Sequence, residues 1–276
     1  LHLAIIRMPK LAPQHSVASP APSAYSSWHT SAAGQYILAW QAERYAQATA
    51  GVFGYYALQL ACPALPTLTA SRIGHRWLAL QDEYCDLAAP QLRLDYHALP
   101  LQEASVDLLT LPHTLEHSAA PQLTLRDAAR ALVPQGRLLI SGFNPRGLWF
   151  SPTLLPRRRQ LGLPDTAQLI SPQMLSRLLQ MHGLQIERIH YGCWQRLRTG
   201  DAPYPNAARV ETWGQRLLPY WGGCYFVEAS KQVLGAHLLQ AHWQNRWKIL
   251  PLAPTQPGAL TQENHSCSGS IHGLKP

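Results

Sequence analysis

Charge is what this chain has least of. Asp, Glu, Lys and Arg make up 14% of its 276 residues, against roughly 25% in an average soluble protein, which argues against a long coiled coil or a charged tail protein. Acidic residues are the scarcer kind. None precedes Glu43, and fifteen Asp and Glu stand against twenty-three Lys and Arg, a balance of +8 that favours anionic partners without naming one. Cysteine is sparse as well: Cys62, Cys85, Cys193, Cys224 and Cys267 are odd in number and never form a C-x-x-C pair. Neither a disulfide framework nor a zinc knuckle is expected, and a cytoplasmic chain with reduced thiols fits. Long even apolar runs are missing. The uncharged window from Tyr45 to Ser71 is broken by Gln47, Gln59, Pro63 and Pro66, so its continuous part, Ala50 to Cys62, suits a buried helix better than a membrane span. No basic region precedes the short apolar stretch Leu1 to Ile6, so export is not expected.

Packing material is plentiful. Apolar residues form 46% of the chain, enough for a sizeable core and too many for global disorder. Ser and Pro crowd Pro13 to Ser27, which predicts a disordered leader over residues 1–27. Pro, Gly, Ser, Thr, Gln and Asn dominate from Leu252 on, which predicts a disordered tail over 252–276 and leaves one domain at 28–251.

Within that domain, Ile37, Leu38, Trp40, Tyr45 and Ala48 recur at helical spacing between Gln35 and Thr49, with Gly51 as a C-terminal cap. A second helix is expected from Phe53 to Ala61, closed by Pro63 and Pro66. Leu92 to Asp95 reads as a short strand. Val106 to Leu111 is an apolar run ended by Pro112, Leu123 to Leu132 places Leu125, Ala128, Ala129 and Leu132 on one helical face, and Leu138 to Ile140 is apolar again after Pro134–Gly136. Strand, helix, strand in this order predicts an α/β domain, because two such strands lie parallel when the helix crosses over the sheet. Downstream, Ser171 and Pro172 start a helix whose apolar stripe is Met174, Leu175, Leu178, Leu179 and Met181. Leu184 to Tyr191 then predicts a strand and Ala207 to Leu218 an amphipathic helix. Cys224 to Val233 predicts an alternating strand with Tyr225, Val227 and Ala229 on one side.

The segment Leu94 to Asn144 resembles the middle of a class I S-adenosylmethionine-dependent methyltransferase. Asp95, Leu99-Pro100-Leu101, Asp107, the Arg126 to Leu132 helix and Val133-Pro134-Gln135-Gly136 match that family's pattern in order and spacing. Phe53-Gly54-Tyr55-Tyr56-Ala57-Leu58-Gln59-Leu60, with Arg76-Trp77 and Phe143-Asn144-Pro145, is similar to a bacterial methyltransferase-domain group, and the resemblance runs from about Trp28 to Lys248. It implies a Rossmann-like fold: a mostly parallel sheet with helices on both faces and an antiparallel C-terminal strand. It also implies S-adenosylmethionine as cofactor. By the same resemblance Asp95 accepts a hydrogen bond from the adenine amino group with Tyr96 and His97 beside the ring, and Pro112 and His113 line the cleft near the methyl group, with His113 the candidate general base. Where the family carries a glycine-rich turn after its first strand, this sequence offers Gly51-x-x-Gly54. The acidic residue expected after the second strand is missing from Leu68 to Arg76.

Other patterns compete for the same residues. His113-x-x-Glu116-His117 matches the inverted zincin motif, but Pro112 breaks the chain just before it and none of Glu187, Glu211 and Glu228 stands out as third ligand, so no metal is expected. Arg157-Arg158-Arg159 can neutralise phosphates. Trp194 with Arg196 and Arg198, and Trp243 with Arg246, Trp247 and Lys248, interleave aromatics with cations as base-stacking surfaces do. Two functions follow. One is methyl transfer to an unidentified acceptor, a small molecule before an RNA, without stable membrane insertion. The other is a non-catalytic binding or assembly protein that keeps the fold with a weakened or lost cofactor site.

Overall fold

Seven strands, β1 (Tyr56–Leu60), β2 (His75–Leu80), β3 (Gln91–Arg93), β4 (Val106–Pro112), β5 (Leu132–Phe143), β6 (Leu184–Gly192) and β7 (Cys224–Lys231), form one sheet in the computed structural model. Their order is β3-β2-β1-β4-β5-β7-β6. β1 to β5 pair in parallel, while β7 runs antiparallel between β5 and β6. The structure describes residues 28–81, 91–150, 169–195 and 207–232, all within the unit Leu1–Val233. The expected leader, the expected tail, Arg157–Arg159 and the Trp243–Lys248 cluster lie outside the described residues.

Helices cover both faces of the sheet. On one side, α1 (Ala32–Ala50) packs Ala33, Ile37, Leu38 and Tyr45 into a core with Ala57, Leu108, Leu139 and Phe226. On the other, α3 (Pro121–Ala131) and α4 (Pro172–Met181) bring Leu125, Ala128, Leu175 and Leu179 against Leu58, Leu109, Ile140 and Val227. Two further helices, α2 (Thr114–His117) and α5 (Ala207–Leu217), follow β4 and β6 in the chain. A sheet buried on both faces divides each strand between two cores. Along β7, Tyr225, Val227 and Ala229 enter one core while Cys224 and Phe226 enter the other.

Most elements stand where periodicity placed them, and three do not. The helix expected from Phe53 to Ala61 is a strand, β1, with Ala57 to Leu60 all buried. A short apolar run in the centre of a parallel sheet loses its alternation and reads the same as a buried helix. β2 has no sequence-based counterpart: its first half is polar and exposed. The Pro134–Gly136 break is a bulge inside β5, with Gln135 at φ 64° and the pairing to β4 shifting between Val106 and Leu108. Capping follows expectation elsewhere. Ser171 Oγ accepts from Met174 N at 3.3 Å, and Gly51 closes α1 with its N–H on Thr49 O.

Gly51 and Gly54 precede β1, so they sit at the amino edge of the sheet, away from the turn that leaves it. Gly54 is required there for packing. A Cβ on it would lie 2.4 Å from the Asp107 side chain, whose Oδ2 accepts from Tyr55 N at 2.8 Å and Tyr56 N at 2.9 Å. Gly54→Ala should therefore lower stability by roughly 1–3 kcal/mol in urea unfolding; an unchanged midpoint would refute the close approach.

Candidate active site

In a sheet ordered 3-2-1-4-5 the connections leave β1 and β4 toward opposite faces, and folds of this kind bind ligands in the crevice outside the carboxyl ends of those strands. Three segments meet at this rim: the turn after β1, the turn after β3, and α2 after β4.

The turn after β1 is Ala61-Cys62-Pro63-Ala64-Leu65. Ala61 (φ 65°) and Cys62 (φ 46°) are both in the left-handed region that favours glycine, yet both carry side chains. Gln59 braces them. Its Nε2 lies 3.1 Å from Ala61 O, 3.0 Å from Cys62 O and 2.8 Å from Leu65 O, while its Oε1 accepts from Thr67 N and Thr67 Oγ1 at 2.9 and 2.8 Å. This turn, not Gly51-x-x-Gly54, occupies the place after the first strand. Residues 61–74 form turns without a helix, so no helix N-terminus faces the rim from this connection. Neither feature was legible in advance, because an alanine does not announce a left-handed φ.

After β3, Asp95 Oδ1 accepts from His97 N and faces His97 Nδ1, both at 2.9 Å. The Asp95 side chain is 60% exposed. Tyr96 is buried instead, its ring in the core with Leu60 and Ala61 and its hydroxyl toward Ala79 O, so it supports the turn from beneath. His97 Nε2 lies 3.0 Å from Ser118 Oγ and accepts from Ala120 N at 3.2 Å, which ties this turn to the end of α2. The stretch Leu68 to Arg76, which holds no acidic residue, extends only to the first residues of β2. Past the carboxyl end of that strand the sequence continues to Asp82 and Glu83, outside the described residues.

Pro112, the last residue of β4, and His113 after it are buried, and His113 takes a left-handed φ of 54° to start α2. Its Nδ1 lies 2.8 Å from Glu116 Oε2, and its Nε2 lies 2.9 and 3.1 Å from the two polar atoms of the Gln41 side-chain amide on α1. The Phe143 ring lies tilted against the His113 ring, with the ring centroids 4.5 Å apart. Glu116 also accepts from Phe143 N, and Gly142 must be glycine, since a Cβ there would approach Glu116 Oε1 to 2.9 Å and the Tyr225 hydroxyl to 2.6 Å. Thr114 Oγ1 donates to Leu60 O at 2.7 Å and so joins α2 to the end of β1. Both His113 nitrogens thus face the protein's own side chains. The Glu of the zincin-like motif binds the first His of the same motif, and no group of three His, Cys, Asp or Glu among the described residues is arranged to hold a metal ion.

Burial governs the titratable groups here. It pushes the Cys62 thiol up to about 12, with the Glu116 carboxylate adding to the effect, so Cys62 stays a neutral thiol near Glu116. It also pushes the Tyr225 hydroxyl up, again with help from Glu116. His29, whose Nε2 lies 3.8 Å from Cys62 Sγ, is pushed down to about 4 by burial and by His113. Trp194, offered by the sequence as a base-stacking ring, is buried, with its Nε1 donating to Leu218 O at 2.9 Å; Arg196 and Arg198 lie outside the described residues.

Residues 50–140 match the family described as Methyltransferase domain. Uncharacterized protein YafS of Escherichia coli strain K12 is 32% identical over 108 residues, 38% of this chain and 45% of that protein, so the match spans less than half of the relative's length. Among solved structures, a S-adenosylmethionine-dependent methyltransferase from Thermotoga maritima superposes with a TM-score of 0.54 at 13% identity, over 76% of this chain and 95% of the other. A methyltransferase bound to the Trm112 methyltransferase activator of Haloferax volcanii gives 0.53 at 18%, over 79% and 100%. At such identities the likeness speaks for the fold alone.

Two partly buried histidines set an acid response. Burial pushes His117 down to about 3 and His29 to about 4, whereas both titrate near 6.5 when unfolded. Between about 6.5 and 4 the unfolded chain therefore binds more protons, and folding stability falls as pH is lowered. Urea midpoints measured from pH 6.5 to 4.5 should decline, with a shallower decline in His117→Asn; a level profile for the unaltered protein would reject this.

Proposed function

Since the chain has the class I S-adenosylmethionine-dependent methyltransferase fold and carries the Methyltransferase domain over residues 50–140, we propose that it transfers a methyl group from S-adenosylmethionine to a small-molecule acceptor at the carboxyl rim of β1 and β4. The observation that carries this reading is the turn after β3. Asp95 presents an exposed carboxylate there, held by His97, which is itself fixed to the end of α2. This turn fits the nucleoside end of the cofactor. The left-handed Ala61-Cys62 turn, packed with Tyr96 in one core, is the wall on which the rest would lie.

When bound, S-adenosylmethionine supplies a methyl carbon already activated by its sulfonium. The chain's own residues then have mainly to orient: Asp95 accepts from the adenine amino group, His97 holds the Asp95 carboxylate in place, and Thr114 and Gln59 keep the β1 turn from shifting. His113 acts as a positioning residue in this scheme. Its two nitrogens are engaged by Glu116 and Gln41, which favours a joint between α1 and α2 over a general base. A second reading, a methyltransferase fold kept as a binding module, is favoured by one observation: the turn after β1 has no glycine and no helix behind it.

Calorimetric titration with S-adenosylmethionine and with its demethylated product separates the two. Methyl transfer requires a binding heat and a thermal shift, whereas neither at millimolar ligand supports the binding module. Asp95→Ala should weaken affinity about tenfold while leaving the unfolding midpoint unchanged; equal affinity would remove Asp95 from the site.

A further inference from the structure

We infer that the outer face of α5 and the turn after it form a docking surface for an anionic lipid bilayer. Residues 215–221 are exposed without interruption. Within and just before them Trp213 is 65% exposed, Leu217 66%, Tyr220 69% and Trp221 52%, with Leu218 beside them. This is an outward face, because the inner one is already used: Gly214 packs so closely on Trp194 that a Cβ would lie 2.3 Å from its ring. Apolar side chains of this size gather on a soluble surface where something covers them.

Chemistry selects the occupant. Two Trp and one Tyr beside two Leu are the composition of the bilayer interface, where an aromatic body sits in the acyl boundary and its polar edge stays wet. The charges agree. Arg209 and Arg216 are exposed on α5, and its one acidic residue, Glu211, is turned inward, accepting from Tyr36 Oη, from Cys193 N at 3.1 Å and from Trp194 N at 3.2 Å. Between Ala207 and Gly223 no other carboxylate opposes an anionic headgroup. No described helix is long and apolar enough to cross a membrane, so the mode is interfacial.

The segment is also rigidly placed. Asn144, directly after β5, donates from Nδ2 to Tyr220 O at 3.0 Å and Gly222 O at 2.9 Å, and Leu148 N donates to Trp221 O at 3.0 Å. The apolar turn is thereby tied to the same carboxyl rim as Phe143 and Glu116. Among the exposed aromatics at the amino edge, Phe53 lies under Arg72 and Tyr56 stacks on Trp77 at 5.5 Å, while Tyr55 is 77% exposed.

Cosedimentation of the full chain with phosphatidylcholine vesicles, with and without phosphatidylglycerol, tests the inference without any cofactor, so its outcome is separate from that of methyl transfer. Binding should appear on the anionic vesicles, weaken with salt and shift tryptophan emission to the blue. The pair Trp213→Ser and Trp221→Ser should lower it about tenfold or more, and Arg209→Gln with Arg216→Gln should erase the preference for anionic lipid, both with an unchanged circular dichroism spectrum. Absence of binding, or equal binding by the tryptophan variant, overturns the inference. A concentration-dependent dimer broken by the same substitutions, with no vesicle binding, would assign the face to a second copy.

Discussion

The buried carboxylate of Glu116 is the constraint around which the rim is arranged. It reaches three parts of the chain at once: His113 Nδ1 at the end of β4, Phe143 N at the end of β5, and the neighbourhood of the Tyr225 hydroxyl on β7. Leaving a buried hydrogen-bonding group without its partner typically costs about 1–3 kcal/mol, because no solvent replaces the lost bond. The left-handed His113 in turn meets the Gln41 amide carried in on α1, and the close approach of Glu116 and Tyr225 favours glycine at position 142. The HTLEH segment, which looks like metal-binding chemistry when read as letters, is a joint between two strands and two helices.

The rim has two characters. Toward β3 it is open and polar, with an exposed Asp95 fixed by its histidine neighbour. Toward β1 it is close-packed: Ala61, Cys62 and Leu65 fill the turn with side chains, and Gln59 holds its carbonyls from within. A left-handed turn without glycine costs on the order of 1–2 kcal/mol per residue, and the internal hydrogen bonds of Gln59 and Thr67 offset it. The side chains of Ala61, Cys62 and Leu65 thus take up room that glycines would leave open. Affinity for the nucleoside end is accordingly expected to outweigh that for the amino-acid end.

How much of this was legible in the sequence depended on where each residue is buried. α3 and α4 showed their one-sided stripes, and β4 and β5 flanked a helix of crossover length, so the α/β reading held. β7 even divided its side chains between the two cores as its alternation implied. β1 was hidden because all but its first residue is buried, and β2 because its entry is polar. Misplacing β1 displaced the glycine argument, sending it to Gly54, which yields space to Asp107 at the other edge of the sheet. The Asp95–His97 contact depends on local chemistry, a strand-end Asp with a following turn. The roles of Gln41 and Glu116 arise from contacts 72 and 27 residues away, and the Gln59 brace, though it reaches only two to eight residues along the chain, depends on a turn geometry that leaves no periodic pattern.

The central claim is that the crevice between the β1 turn and the β3 turn admits a nucleoside although its own side chains line it. A crystal structure of the protein grown with S-adenosylhomocysteine tests it most directly. The account predicts adenosine density between Ala61-Cys62 and Asp95, with the adenine amino group within hydrogen-bond distance of the Asp95 carboxylate. Density elsewhere, or a crevice closed by Cys62 and Leu65 at saturating ligand, would contradict it.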